Sequence, residues 1–146
     1  MYNYIFFLFF YLPLLILGQN KIKEENFFDD LSIKEYSVIV KKGTERAFTG
    51  EYVDFYKKGL YVCKACNNPL FNSESKFKTN CGWPSFDDEI KNSLIRIPDY
   101  SYGMNRIEIC CANCKGHIGH VFVGENLTNK NVRHCANSIS LRFIAK

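Results

Sequence analysis

The sequence predicts one mainly β domain of antiparallel strands with a short helical lead-in. Three observations carry that reading. From Gly59 onward, short runs of β-branched and aromatic residues are broken repeatedly by Asn, Gly, Pro and Asp. The 146 residues have the length of one ordinary domain, and a content of 47% hydrophobic and 16% aromatic residues is enough for an ordered core. Two C-x-x-C pairs follow strand-like runs in "YVCKACNN" and "ICCANCKG", as expected for turns that close on a metal.

The first 18 residues, "MYNYIFFLFFYLPLLILG", carry no charged side chain. Their apolar run of 13, residues 5–17, is shorter than the roughly 20 residues of a membrane span. It has the length of a signal-peptide core and ends at the small residue Gly18. We expect a signal peptide over residues 1–18, cleaved to leave 128 residues, with an uncleaved anchor as the alternative. The destination would be the secretory pathway: the endoplasmic reticulum lumen, the exterior, or a secretion-routed organelle. The sequon Asn126-Leu127-Thr128 is compatible with that route.

Residues 19–33 form a polar N-terminal extension, and residues 34–146 the domain. In "FFDDLSIKEYSVIV" a short helix is expected, followed by an extended "YSVIV". "KKGTERAFTG" is turn-like. The clearest strands are "LYVCKAC", "SLIRIP", "NRIEICC", "GHVFVG" and "SISLRFIA". The net charge of +4, from 19 basic and 15 acidic residues scattered along the chain, gives no reason to expect a nucleic-acid partner.

Cys63-x-x-Cys66 and Cys111-x-x-Cys114, with 44 residues between the pairs, point to one tetrahedral four-cysteine zinc site. Four sulfurs would leave the metal no open position, so the zinc would be structural. Structural disulfides are the competing reading for a secreted chain. Cys110-x-x-x-Cys114 is an alternative register, but Cys111 reproduces the spacing of the first pair, and Cys110 should then face away on its strand as a small core residue.

Cys81 and Cys135 are left over. Cys81 lies in the turn "TNCGWPSF" with the only tryptophan, Trp83, which could wall a pocket. Cys135 follows Arg133 and His134, and cationic neighbours favour a thiolate. His117 and His120 cluster in "GHIGHVF". Their spacing does not share a face of a regular strand, so Gly116 and Gly119 suggest a bent segment that aims both rings at one place.

The series "GTERAFTGEY", "YVCKACNNPLF", "KFKTNCGWPSF", "GMNRIEICCANCKGHIGHVF" and "RHCANSISLRF" resembles the methionine-R-sulfoxide reductases, the MsrB family, from about residue 34 to 143. The resemblance implies two antiparallel β-sheets with a structural four-cysteine zinc. It makes Cys135 the nucleophile and Cys81 the resolving thiol, and it matches Trp83, His117, His120, Asn137 and Arg133 to the substrate pocket. It implies reduction of mainly protein-bound methionine-R-sulfoxide, in protein repair and oxidative-stress defence, and recycling by a thioredoxin-like donor. A monomer is expected. The chain departs from the family pattern at His134, where tyrosine or phenylalanine is usual, and at Asn80, where glycine is usual. Gly124 stands where an acid is common, with Glu125 next to it as the candidate replacement.

These residues can support such chemistry. A sulfoxide needs a nucleophile at sulfur, a proton for the departing oxygen and an apolar wall for the methyl group. Cys135, one of the two histidines and Trp83 would supply them. Attack leaves a sulfenic acid on Cys135 that Cys81 can convert to a disulfide. No nucleotide motif is present, so electrons should come from a protein donor. A non-catalytic zinc-stabilised β module and a general thiol oxidoreductase or peroxidase are the other readings. The first leaves Cys135 idle, and the second would act on peroxide or disulfide instead of sulfoxide.

Overall fold

The structure is a computed structural model and describes residues 26–146. The signal-peptide expectation for residues 1–18 lies outside the described residues. Among the described residues, no helix is long and apolar enough to cross a membrane.

The helix α1 spans Ile33–Ile39. Ser32 and Glu35 close it as a capping box, each side chain bonded to the other's backbone N–H. The expected extended "YSVIV" is therefore wrong. β-branched residues favour strands, but the cap starts a helix and burial of Val38 and Ile39 on one face carries it through Ile39.

Nine strands follow in two antiparallel sheets. β1 (Gly59–Cys63) lies between β2 (Pro69–Asn72) and β9 (Leu141–Ala145) in a three-stranded sheet. The second sheet runs β3 (Lys76–Phe77), β4 (Ser85–Phe86), β8 (Val132–Ala136), β7 (His117–Val123), β6 (Arg106–Cys111), β5 (Leu94–Asp99). Of the expected strands, the last begins as a 3-10 turn over Ser138–Ser140 before β9. The sequence reading missed β2, β3, β4 and β8.

The sheets meet through aromatic rings. Phe71 of β2 stacks on Phe86 of β4 at 4.2 Å, and Tyr61 of β1 meets Phe86 edge-on at 5.0 Å. Phe86, Val121, Ile109, Cys111 and Ala136 of the six-stranded sheet belong to this core cluster. Strand alternation then puts a polar set on the other face: Cys135 opposite His120, His120 opposite Glu108, and Asp99 opposite Arg106. The segment of residues 41–50 packs over that face.

Candidate functional site

Two cysteine clusters are built into the fold. The first uses two copies of one turn. In each, the residue after the second cysteine is left-handed, Asn67 at φ 61° and Lys115 at φ 65°. Its N–H bonds back to the first cysteine's carbonyl at 2.9 Å, Asn67 to Cys63 and Lys115 to Cys111. The turns bring Cys63 Sγ to 3.6 Å from Cys114 Sγ and Cys66 Sγ to 3.5 Å from Cys111 Sγ. The four sulfurs lie within 4.8 Å of one another. A tetrahedral zinc with Zn–S of about 2.3 Å needs sulfurs about 3.8 Å apart, so the set fits that ion. All seven cysteines are free thiols, which leaves the disulfide reading without support.

The second cluster holds Cys81 and Cys135, 4.0 Å apart between sulfurs. Cys135 projects from β8, and Cys81 from the turn before β4. Gly82 sits at φ 90°, a backbone region that favours glycine. Thr79 Oγ1 and Ser85 Oγ lie 3.0 and 3.4 Å from Cys81 Sγ. The Cys135 thiol's hydrogen bond, ahead of Ser85 and Thr79, pushes the Cys81 thiol down to about 4. Cys135 is pushed up in turn, first by its bond to Cys81 and then by burial, because a second charge would sit beside the first. Arg133, on the same face of β8, opposes that rise.

Trp83 closes one side of a cavity of about 100 Å³, whose lining includes Cys135, His120, Phe122, Arg106 and Asn137. Its indole N–H donates to the Glu45 carbonyl at 2.9 Å. Glu45 in turn takes the Ser138 N–H on its carboxylate and donates its own N–H to Asn137 Oδ1, both at 2.9 Å. The Asn137 amide also donates to the Ile118 carbonyl at 3.1 Å. Asn137 therefore lines the cavity while its amide holds the backbone around it.

The expected bend in "GHIGH" is a β-bulge. His117 pairs Cys110 while Gly119 pairs Ile109, so Ile118 is the extra residue. The bulge puts the His117 and His120 rings 5.5 Å apart, edge to face. Gly119 is required by the close approach of β8: a Cβ there would lie 1.9 Å from the Cys135 carbonyl. The two histidines are not equivalent. His120 lines the Trp83 cavity and bonds Asp99 through Nε2 at 2.8 Å. His117 is buried behind it, its Nδ1 2.7 Å from Glu108, and burial lowers its pKa against the pull of that carboxylate. Lys42 neutralises Glu108 at 2.8 Å.

Arg133 is held by Glu125 through two bonds of 2.7 and 2.8 Å, so the arginine does have an acid partner next to Gly124. His134 does not flank Cys135 in space. Alternation turns it to the core side, where it bonds the Phe86 carbonyl at 3.1 Å and Glu89 at 2.8 Å. Cys110 does face away from Cys111 and is buried, but beside Glu108 and His117 rather than inside the apolar cluster. The sequence reading missed Glu45, Asp99, Glu108 and Arg106. The acids partner the histidines through sheet register, and their spacing in sequence carries no mark of it.

The description "SelR domain" fits residues 31–145 of the chain. The peptide methionine sulfoxide reductase B3 of Arabidopsis thaliana is 48% identical over 114 residues, 77% of this chain and 64% of that protein. The peptide methionine sulfoxide reductase MsrB of Methanosarcina mazei is 44% identical over 131 residues, 87% of this chain and 92% of that one. An uncharacterized protein of Schizosaccharomyces pombe is 43% identical over 122 residues, 82% of this chain and 88% of that one.

Proposed function

The chain belongs to the SelR-domain family of peptide methionine sulfoxide reductases of the B class, and from that premise we propose that it reduces methionine-R-sulfoxide through Cys135. The observation that carries the mechanism is the sulfur pair: Cys81 and Cys135 stand 4.0 Å apart, with Cys135 in the Trp83 cavity.

In this reading the sulfoxide methyl packs on Trp83. The Cys135 sulfur attacks the sulfoxide sulfur while the oxygen takes a proton, with His120 as the donor and Asp99 fixing its ring. The Cys135 proton can pass to the Cys81 thiolate beside it. The oxygen then moves from the methionine sulfur to the Cys135 sulfur: the new S–S bond and the methionine S–O bond break, a Cys135 S–O bond forms, and methionine leaves with Cys135 as a sulfenic acid. Cys81 then displaces that oxygen as water and forms the Cys81–Cys135 disulfide. Two electrons have moved from the thiol pair to the sulfoxide. A thioredoxin-like dithiol returns them by exchange. Arg133, positioned by Glu125, favours negative charge on the pair. A zinc ion held by Cys63, Cys66, Cys111 and Cys114 would tie the turn between β1 and β2 to the turn between β6 and β7 and take no part in the reaction.

We place this activity in protein repair within the secretory pathway, with oxidised proteins and a thioredoxin-like reductant as partners. Residues 1–18 would act as a cleaved signal, or as the only membrane attachment if retained. The protein would act as a monomer. Single-turnover reduction of each sulfoxide epimer tests the core reading. The R epimer should yield about one equivalent of methionine per enzyme with loss of two thiols. Reduction of peroxide in preference to either sulfoxide would instead identify a thiol peroxidase.

A further inference from the structure

The Trp83 cavity adjoins a second, larger groove whose outer walls the reaction does not use. Thr44, Arg106 and His120 line both. The first space is about 100 Å³, the scale of one side chain, and the second is about 480 Å³. One wall of the groove is the turn between β5 and β6, and the other is the Lys41–Thr44 segment. The turn wall is apolar and exposed: Tyr100 is 69% accessible, Tyr102 93% and Met104 42%. Three large apolar side chains gathered on one exposed groove wall form the kind of patch that marks an interaction site.

Two further features support a wall built for contact. Tyr102 sits in the left-handed region at φ 54°, an uncommon conformation for a residue with a bulky side chain. Lys42, in the opposite wall, is also left-handed at φ 59°. The floor is electrically settled, since Glu108 is shared by Lys42 and His117, and Arg106 pairs with Asp99 at 2.7 Å. Lys41 at the rim lies 5.8 Å from the Tyr36 ring and leaves the groove mouth cationic. The neighbouring β5 is a sheet edge, but it carries Pro98, which blunts addition of a further strand. Recognition there would rest on side-chain contacts.

We propose that this groove binds the polypeptide flanking the sulfoxide residue, and prefers segments with apolar or acidic side chains within a few positions of it. The inference rests on the sulfoxide reading for the occupant of the small cavity and adds where the rest of the substrate chain lies. A free amino acid fills only the small cavity. An unfolded segment also covers Tyr100, Tyr102 and Met104. The selectivity for protein over free sulfoxide then arises from the turn between β5 and β6.

The test compares a nine-residue peptide bearing a central methionine-R-sulfoxide and apolar flanks with N-acetylmethionine-R-sulfoxide methylamide. The variant is Tyr100→Ser/Tyr102→Asn, because Asn accepts a left-handed backbone. The wild type should show a higher kcat/KM for the peptide. The variant should lose about tenfold on the peptide, through KM, the scale of one lost aromatic contact surface. Its kcat/KM for the small sulfoxide should be unchanged. Equal losses on both substrates, or no loss on the peptide, would overturn the groove. A wild type that reduces neither sulfoxide would refute the proposed activity instead. The groove would then be decided by fluorescence anisotropy with the methionine form of the peptide, whose affinity should fall about tenfold in the variant. An unchanged affinity would overturn it.

Discussion

Cys111 and Cys135 lie on opposite faces of one six-stranded sheet, and each belongs to a different sulfur cluster. On the core side, four sulfurs at 3.5–3.6 Å along two of their contacts converge from two matching turns, and three of the four are buried. On the polar side, two half-buried sulfurs stand 4.0 Å apart beside a cavity, with hydroxyls and a guanidinium around them. In the proposed reading the same functional group is structural in one place and reactive in the other. Ligand number, access and the charge of the neighbours separate the two.

The sharpest way to break this contrast is to remove one sulfur from each side. Cys63→Ser should lose the metal and unfold the chain. Structural zinc contributes roughly 10–16 kcal/mol in small zinc domains, as much as the whole 5–15 kcal/mol stability of a typical domain. Metal analysis and circular dichroism check it, and a folded, metal-free, reduced Cys63 variant would refute the structural role. Cys135→Ser should leave zinc content and the melting transition nearly unchanged and abolish sulfoxide reduction. Cys81→Ser should release about one methionine per enzyme and then stall with a thioredoxin-like donor. Continued turnover would point to Cys110 or to direct reduction as the resolving route.

Next in size are the two histidines. His120→Asn should slow single-turnover reduction by roughly a hundredfold, the usual scale for a lost general acid. His117 does not line the Trp83 cavity, so His117→Asn should cost roughly tenfold, by loosening the ring behind His120. Equal losses would mean that the two rings act as one unit. Stability should also respond to pH here. Burial holds the folded pKa of His117 below its unfolded value, and Glu108 is held below its own by Lys42 and His117 against its burial. In both cases the folded chain binds fewer protons, so stability is lost as pH falls. Loss through His117 begins near its unfolded value of about 6.5, and loss through Glu108 begins near about 4.5. A melting series from pH 7 to pH 4 should show the wild type falling further than His117→Asn.

A smaller effect separates the reactive pair itself. Cys81 is pushed down to about 4, so its alkylation by iodoacetamide should be nearly pH-independent above pH 5 and fall below pH 4 as the thiolate is protonated. Cys135→Ala removes the thiol donor, and the Cys81 profile should move upward. An unmoved profile would assign the depression to Ser85, Thr79 and the Trp83 backbone instead.

The sequence marked both sulfur clusters, and for different reasons. The four-cysteine set is local, a repeated C-x-x-C with a turn residue after it. The histidine pair was legible because glycines beside it signalled a bend, which is the bulge at Ile118. The partners of these residues were not legible. Asp99 reaches His120 across 21 positions and Glu45 reaches Asn137 across 92, through strand register and loop packing that no period in the sequence records. β8 escaped because "VRHCA" has no hydrophobic alternation: Arg133 and Cys135 face the site, and His134 is a polar residue on the core side. The helix was misread because "YSVIV" has strand propensity, while the capping box before it decides the structure.

The smallest predicted effect concerns the carboxylate that partners Arg133 near Cys135. Glu125 holds Arg133 in a two-bond fork, but its side chain is 38% accessible, so solvent screens the pair and it should contribute little to stability, under about 1 kcal/mol. Its effect should appear in the position of the guanidinium beside the thiols. Glu125→Gln should therefore leave the melting transition nearly in place and slow reduction several-fold, with the Cys135 thiol harder to ionise. Moving the acid one residue earlier by Gly124→Asp should not repair it. Gly124 sits at φ 89°, where a side chain is strained, so the double variant should lose stability without regaining the rate. Full recovery in Gly124→Asp/Glu125→Gln would show that any nearby carboxylate suffices and that the fork geometry of Glu125 is incidental.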